Sequence, residues 1–289
     1  MSTHSNAYQL LSDVRYGINE HSTAFIQATD TTGAFQNEYL ISKINEAQRY
    51  IYSFLFTRFK EFFLASSEIT GVDSVFALPW DCGSIRYFKD ENGYRVHQID
   101  VDQLHIATAT GSGNLYYRKG NSLILDKSGV TDVYTLYYYK KPRDIDQGKA
   151  SAGGALSITL ATTAKKIVDY YNEMTIENIT RDWVDVIDDY SVVRVATISE
   201  TAAGDDYYGI VPELPEMFHE FIAPLAVYKV KLESPITQEA PKQGILGSIN
   251  DAILSAAKAY SGTSQDITPE DLFCGWSTAI SHPYLIPGH

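Results

Sequence analysis

A chain of 289 residues, 44% of them apolar, is long enough for one large core or two modest ones and too apolar to remain unfolded. Its 23 Lys and Arg against 36 Asp and Glu leave a net charge of −13, which repels phosphate and counts against a DNA-coating role. Two distant cysteines, Cys82 and Cys274, exclude a disulfide framework or a cysteine zinc site as the organising principle.

The first residues, Met1-Ser-Thr-His-Ser-Asn-Ala7, lack a basic region followed by an apolar run, and no stretch of about 18 uncharged apolar residues follows. Neither a signal peptide nor a membrane span is therefore expected. Residues 7–19 read as a short helix, and Thr29-Asp-Thr-Thr-Gly33 as a polar turn that lets it pack against the next one as a hairpin. From Asn37 to Ser66, Leu40, Ile41, Ile44, Ala47, Ile51, Phe54, Leu55, Phe62 and Phe63 recur at three- and four-residue steps, which predicts one long amphipathic helix.

After Gly71 the period changes. Short apolar runs (Val75–Leu78, Ile85–Phe88, Val96–Ile99, Leu115–Tyr117, Ser122–Leu125, Val133–Tyr139) alternate with Gly- and Asn-containing turns, which predicts antiparallel strands. Residues 148–154, small and Gly-rich, read as a linker. A second β-rich run follows, with Ser157–Leu160, Met174–Ile179, Val184–Ile187 and Val192–Ile198 as its strands. Helical character returns over Met217–Leu232, where Pro224 should kink the helix, and over Gly244–Tyr260.

The expected fold class is α+β: a helical core, made of an N-terminal hairpin and returning C-terminal helices, with two inserted antiparallel β-modules. Its parts are 1–70, the first helices; 71–146, the inserted β-domain; 147–211, the second β-module; 212–261, the returning helices; and 262–289, a C-terminal tail.

Chemical motifs are sparse. His219-Glu220 opens like a zinc-protease helix, but Ala223 stands where the second histidine is needed. Asp182, Asp185, Asp188 and Asp189 are interrupted by apolar residues and lack a calcium-loop frame. Gly111-Ser-Gly113 lacks the third glycine of a dinucleotide loop. No nucleophile and base are paired in sequence, so no enzyme, cofactor or metal is expected.

The densest feature is Asp132-Val-Tyr-Thr-Leu-Tyr-Tyr-Tyr-Lys-Lys-Pro-Arg-Asp-Ile145. Alternation puts Val133, Thr135, Tyr137 and Tyr139 on one face and Tyr134, Leu136 and Tyr138 on the other. Both faces are largely apolar or aromatic, as in a covered strand or one at a subunit contact. A platform for single-stranded nucleic acid would need exposed aromatics flanked by basic groups along a groove, whereas Lys140, Lys141 and Arg143 follow the strand.

Several segments, in order, resemble the head-to-tail adaptor (connector, head-completion) proteins of tailed bacteriophages. They are Phe35-Gln-Asn-Glu-Tyr-Leu40 with Ile44-Asn-Glu-Ala-Gln48, the turn Leu78-Pro-Trp-Asp81, the strand Tyr134 to Pro142, and Leu214-Pro-Glu-Met-Phe-His219 with Ala226. Asp169-Tyr-Tyr-Asn-Glu-Met174, Ile187-Asp-Asp-Tyr190 and Arg194-Val-Ala-Thr-Ile198 resemble a small β-module recurrent in phage virion proteins. Glu173 replaces its usual glycine, and Thr180-Arg-Asp-Trp183 its Gly-rich loop.

The resemblance implies a structural virion protein at the capsid–tail junction, assembled in the host cytoplasm. Copies would form a dodecameric ring below the portal protein, meet a tail or nozzle protein, and pass DNA through the channel without sequence-specific binding. Tyr137, Tyr138, Tyr139, Lys140, Lys141 and Arg143 are then subunit-contact candidates; the three cations either meet an acidic neighbour or form a solvated strand exit. Leu272, Phe273, Trp276, Tyr284, Leu285 and Ile286 are portal-docking candidates, unless the tail folds back on its own helices. The alternatives are a nucleic-acid-binding module built on the tyrosine strand, or another virion component such as a tail protein.

Overall fold

A computed structural model describes residues 5–20, 35–103, 115–233 and 244–261. Helix α1 (Ala7–Gly17) starts at Asn6, whose Oδ1 accepts the Gln9 backbone N–H at 3.0 Å while the Gln9 side chain accepts the Asn6 N–H. That capping box satisfies two of the donors a helix start leaves open. The Asn6 amide also donates to Glu177 at 2.6 Å, tying α1 to the sheet beneath it. The approach is close enough that a Cβ on Gly209 would fall 2.6 Å from Asn6 Oδ1, so glycine is required there.

Helix α2 (Asn37–Phe56) buries Leu40, Ile44, Ala47, Ile51 and Leu55 along the stripe the periodicity predicts. It stops ten residues short of the expected end, 66 against 56. Lys60–Phe63 form a 3-10 turn, and the chain leaves it as strand β1 (Leu64–Thr70). The backbone of β1 pairs antiparallel along β7 (Val133–Lys140), from Leu64 opposite Tyr139 to Thr70 opposite Val133. This ladder, invisible to a local reading, overrides the helical period of the Phe-rich run.

Strands β2 (Val75–Ala77), β3 (Cys82–Lys89), β4 (Arg95–Gln98), β5 (Leu115–Lys119) and β6 (Ser122–Leu125) complete a seven-stranded sheet in the order β1-β7-β3-β4-β5-β6-β2. The two end strands lie side by side, so the sheet nearly closes into a barrel around Phe76, Phe88, Leu123, Tyr134 and Leu136. β4 and β5 run parallel; the other pairs are antiparallel.

The stretch read as a linker instead holds β8 (Gln147–Lys149) and β9 (Ala152–Gly153). With β10 (Ser157–Thr159), β11 (Thr175–Asn178), β12 (Trp183–Val186), β13 (Asp189–Tyr190), β14 (Val195–Thr197) and β15 (Tyr207–Ile210) they make two four-stranded sheets. Their orders are β13-β14-β10-β9 and β12-β11-β15-β8. Helix α3 (Ile222–Glu233) follows a 3-10 turn over Glu216–Phe221. Pro224 therefore sits in the first turn of α3, next to the junction with the 3-10 turn, rather than in the middle of a longer α-helix. Helix α4 (Ile245–Ser261) packs on through Ile253 and Ala257.

The expected helical core is overturned. The described residues hold four α-helices against fifteen strands in three sheets, and the molecule is sheet-dominated. Nor do the helices enclose a core of their own: Leu11, Leu40, Ile44 and Leu225 belong to one buried cluster with Ile158, Ile176, Ile187, Tyr190 and Tyr208 from the small sheets. The reason is geometric. Strands of two to four residues cannot bury an apolar face alone, and α1 leaves a face that β8 and β15 cover.

Candidate functional site

The tyrosine strand β7 lies between β1 and β3, and its two faces have different fates. Tyr134, Leu136 and Tyr138 point into the barrel and are buried. Thr135, Tyr137 and Tyr139 point outward and are half-buried. There Tyr137 stacks on Tyr87 with ring centres 4.3 Å apart, and Lys89 Nζ lies 5.3 Å and 5.6 Å from the two centres. Arg95 lies over Tyr87 and Arg86 over Tyr139, each at 5.9 Å, and Tyr139 meets Phe56 edge-on. One face thus carries aromatics interleaved with cations, contrary to the expectation that the basic groups follow the strand only.

The end of β7 is locked from inside the chain. Asp81, buried in the Leu78-Pro-Trp-Asp81 turn, accepts the Tyr138 hydroxyl at 3.0 Å and pairs with Lys140 at 3.2 Å; its carbonyl accepts the Lys141 N–H at 2.7 Å. Burial, reinforced by the adjacent Asp81 carboxylate, pushes the Tyr138 hydroxyl well above its ordinary pKa, which keeps it a neutral donor. Lys140 therefore finds its acidic neighbour within its own chain, while Lys141 is exposed.

Arg143 is buried. Its guanidinium reaches both oxygens of Glu213, at 2.7 Å and 3.1 Å, and donates to the carbonyls of Tyr170 and Asn172. The same Glu213 accepts the Arg143 backbone N–H. Gln48 on α2 donates to the Arg143 carbonyl at 2.6 Å, and the Asn45 side chain exchanges two hydrogen bonds with the backbone of Ile145. The chain leaving the barrel is thus clamped between α2 and the segment entering α3.

Below the clamp, α2, the β7–β8 connection and the β10–β11 connection enclose a cleft of about 420 Å³. Asp144 holds both of its cations, Arg49 and, at 3.2 Å, Lys165. Asp146 is buried and accepts the hydroxyls of Tyr208 at 2.9 Å and Thr163 at 3.2 Å. Burial pushes its carboxyl up to about 6, against the hydrogen bonds that hold it down.

Of the sequence-predicted contact residues, the structure brings Tyr137, Tyr138, Tyr139, Lys140, Lys141 and Arg143 together as neighbours, on different faces and with partners inside the chain. The portal-docking candidates Leu272, Phe273, Trp276, Tyr284, Leu285 and Ile286 lie outside the described residues. Sequence reasoning missed Asp81, Glu213 and Asp146 as partners. Two of these adjoin motifs it did single out, Asp81 closing the Leu-Pro-Trp-Asp turn and Glu213 preceding Leu214; nothing local marks Asp146.

Among the described residues no group of three or more His, Cys, Asp or Glu is placed to hold a metal ion. No described helix is long and apolar enough to cross a membrane. Compared with known proteins, the chain matches no family model and no curated protein.

Proposed function

We propose that the protein is a head-to-tail adaptor of a tailed bacteriophage. Copies join into a ring below the portal protein, hand on to a tail or nozzle protein, and continue the channel through which DNA passes. The observation that carries this reading is a convergence. Segments far apart in sequence, on which the resemblance rests, come together: Asp81 from the Leu-Pro-Trp-Asp turn holds Tyr138 of the tyrosine strand, and the residues just after that strand, Arg143 and Ile145, are held by Asn45 and Gln48 of the helix signature and by Glu213, just before Leu214.

Two physical features fit the role. A net charge of −13 lets DNA slide past without adhering. The outer barrel face, with Tyr87, Tyr137 and Tyr139 half-buried, is only partly covered by the described residues and gains from being covered by a neighbour.

The test is to mix the full chain with isolated portal and image the particles. A ring seated on the portal is expected, and Lys141→Glu at the exposed strand exit should reduce its yield. A protein that joins neither the portal nor other copies would refute the reading; a monomer without portal decides little, because the portal can nucleate the ring.

One observation favours a second reading. The aromatic and cationic face formed by Tyr87, Tyr137, Lys89 and Arg95 has the ingredients of a platform for single-stranded nucleic acid. That module would bind single-stranded DNA with an affinity falling steeply with salt, and a salt titration showing no such affinity removes it.

A further inference from the structure

The cleft below the clamp has more acceptors than donors left to satisfy them. Its two cations, Arg49 and Lys165, are both directed at Asp144. Three acceptors remain. Gln147, 97% buried by its 3% exposure, lines the cleft, and its Oε1 has no hydrogen-bond partner. Asp146 lines it as well, held by two neutral hydroxyls and the Gln147 backbone N–H, and Lys165 acts on it only through space. Glu38, in the first turn of α2, is an exposed carboxylate at the rim.

A buried carbonyl oxygen without a donor costs free energy that a ligand N–H recovers. An anion would meet the carboxylates of Asp144, Asp146 and Glu38 and find no cation that is not already engaged. A planar guanidinium, with five N–H donors, or an ammonium with three, meets the opposite situation. We propose that this cleft binds the guanidinium or ammonium group of an organic cation, which donates to Gln147 Oε1 and to the carboxylates of Asp146 and Glu38. The cation comes either as a free amine or as a basic side chain of another protein. This inference does not depend on the adaptor reading.

Binding should tighten with pH, because a protonated Asp146 has lost an acceptor and its charge. The groups that face Asp146 are Tyr208 on β15, Tyr171, Thr163 and Lys165 on the β10–β11 connection, Tyr190 on β13, and, across the cleft, Asp144, Arg49 and Glu38. Burial carries the Asp146 carboxyl into the pH 5–7 range, up to about 6.

The test is calorimetric titration of the full chain with agmatine, with blocked arginine (N-acetylarginine amide), and with inorganic phosphate. Saturable binding of agmatine or blocked arginine is expected, weaker at pH 5 than at pH 7.5, with phosphate silent. Gln147→Leu should weaken it roughly tenfold, the loss of one hydrogen bond to a charged group. Glu38→Gln, at an exposed position that does not threaten folding, should weaken it by roughly threefold. Tighter agmatine points to a free amine as the source, and tighter blocked arginine to a partner's side chain. Binding of phosphate alone, silence toward both cations, or cation binding that Glu38→Gln and a folded Gln147→Leu leave unchanged would overturn the proposal.

Discussion

The barrel over Leu64–Lys140 and the remainder of the chain solve the same problem in opposite ways. The barrel closes one sheet on itself and keeps its own core of Phe76, Phe88, Tyr134 and Leu136. The remainder has no element that is self-sufficient: α1 packs on β8 and β15, α2 and α3 pack on α1 and on each other, and residues from Ala7 to Ala257 share one buried cluster. Closure makes a module whose stability is local, whereas layering makes one whose parts stand or fall together. The two regions meet at the exit of β7, where the Asp81 carbonyl accepts the Lys141 N–H and Tyr139 meets Phe56, while their buried apolar clusters stay separate.

The clamp on the chain leaving the barrel is the most sensitive point. Arg143→Ala leaves Glu213 with the backbone N–H of residue 143 as its remaining donor and takes the guanidinium from the carbonyls of Tyr170 and Asn172, and should lower stability by about 3–5 kcal/mol, measured by urea unfolding. A loss below about 1 kcal/mol would mean that the pair is dispensable.

The two cores can be separated by matched truncations. Leu136→Ala and Leu40→Ala each remove a fully buried side chain and should cost about 2–5 kcal/mol. Hydrogen exchange should show Leu136→Ala accelerating amides within the barrel only, and Leu40→Ala accelerating α1, α2 and the strands β10 to β15 together. Equal acceleration of Tyr208 by both variants would contradict the division.

A smaller effect distinguishes the regions by pH. Asp146 lies in the layered region, and its carboxyl rises from 3.8 to about 6 on folding. The protonated form is the one the fold prefers, so its contribution is fully present below pH 3.8 and is lost as pH rises to about 6. Asp146→Asn should abolish this loss, gaining relative to the parent by up to about 3 kcal/mol between pH 4 and pH 7, less the value of the altered hydrogen bonds. Unfolding midpoints across that range test it; parallel curves for the two proteins would refute the buried-carboxyl account.

The smallest expected change is at Glu173, exposed and held at φ 65° where the resembling module has glycine. Glu173→Gly should relieve left-handed strain and raise stability by about 0.5–1 kcal/mol, read as an increase in Tm, without altering the barrel.

How much of this was legible depended on how local each signal is. The stripe Leu40, Ile44, Ala47, Ile51, Leu55 predicts α2 because consecutive turns repeat it, and Ser122–Leu125 predicts β6 because turns bracket it on both sides. The run 57–66 misled, because its phenylalanines continue the helical period while its backbone is claimed by β7, over sixty residues away. The Gly-rich run 148–154 misled in the other direction: β8 and β9 are held by β15 and β10, not by propensity. At the site, the alternation of Tyr134 to Tyr139 assigned the faces of β7 correctly. It could not reveal Tyr87, Lys89 and Arg95 beside the outward tyrosines, since these come from other strands.

By itself, the sequence determined the identity and approximate place of most helices and strands, the acidic charge, and the alternation that sorts the tyrosines to two faces. Those follow from periods of 2 and 3.6 residues, which neighbours along the chain set. Only the tertiary structure decided that the helices have no core of their own, that Lys140 and Arg143 are answered by Asp81 and Glu213, and that Asp146 and Gln147 are buried beside a cleft. Each of those depends on which distant surface arrives to cover a face or to take up a charge, and that is set by packing across the whole chain.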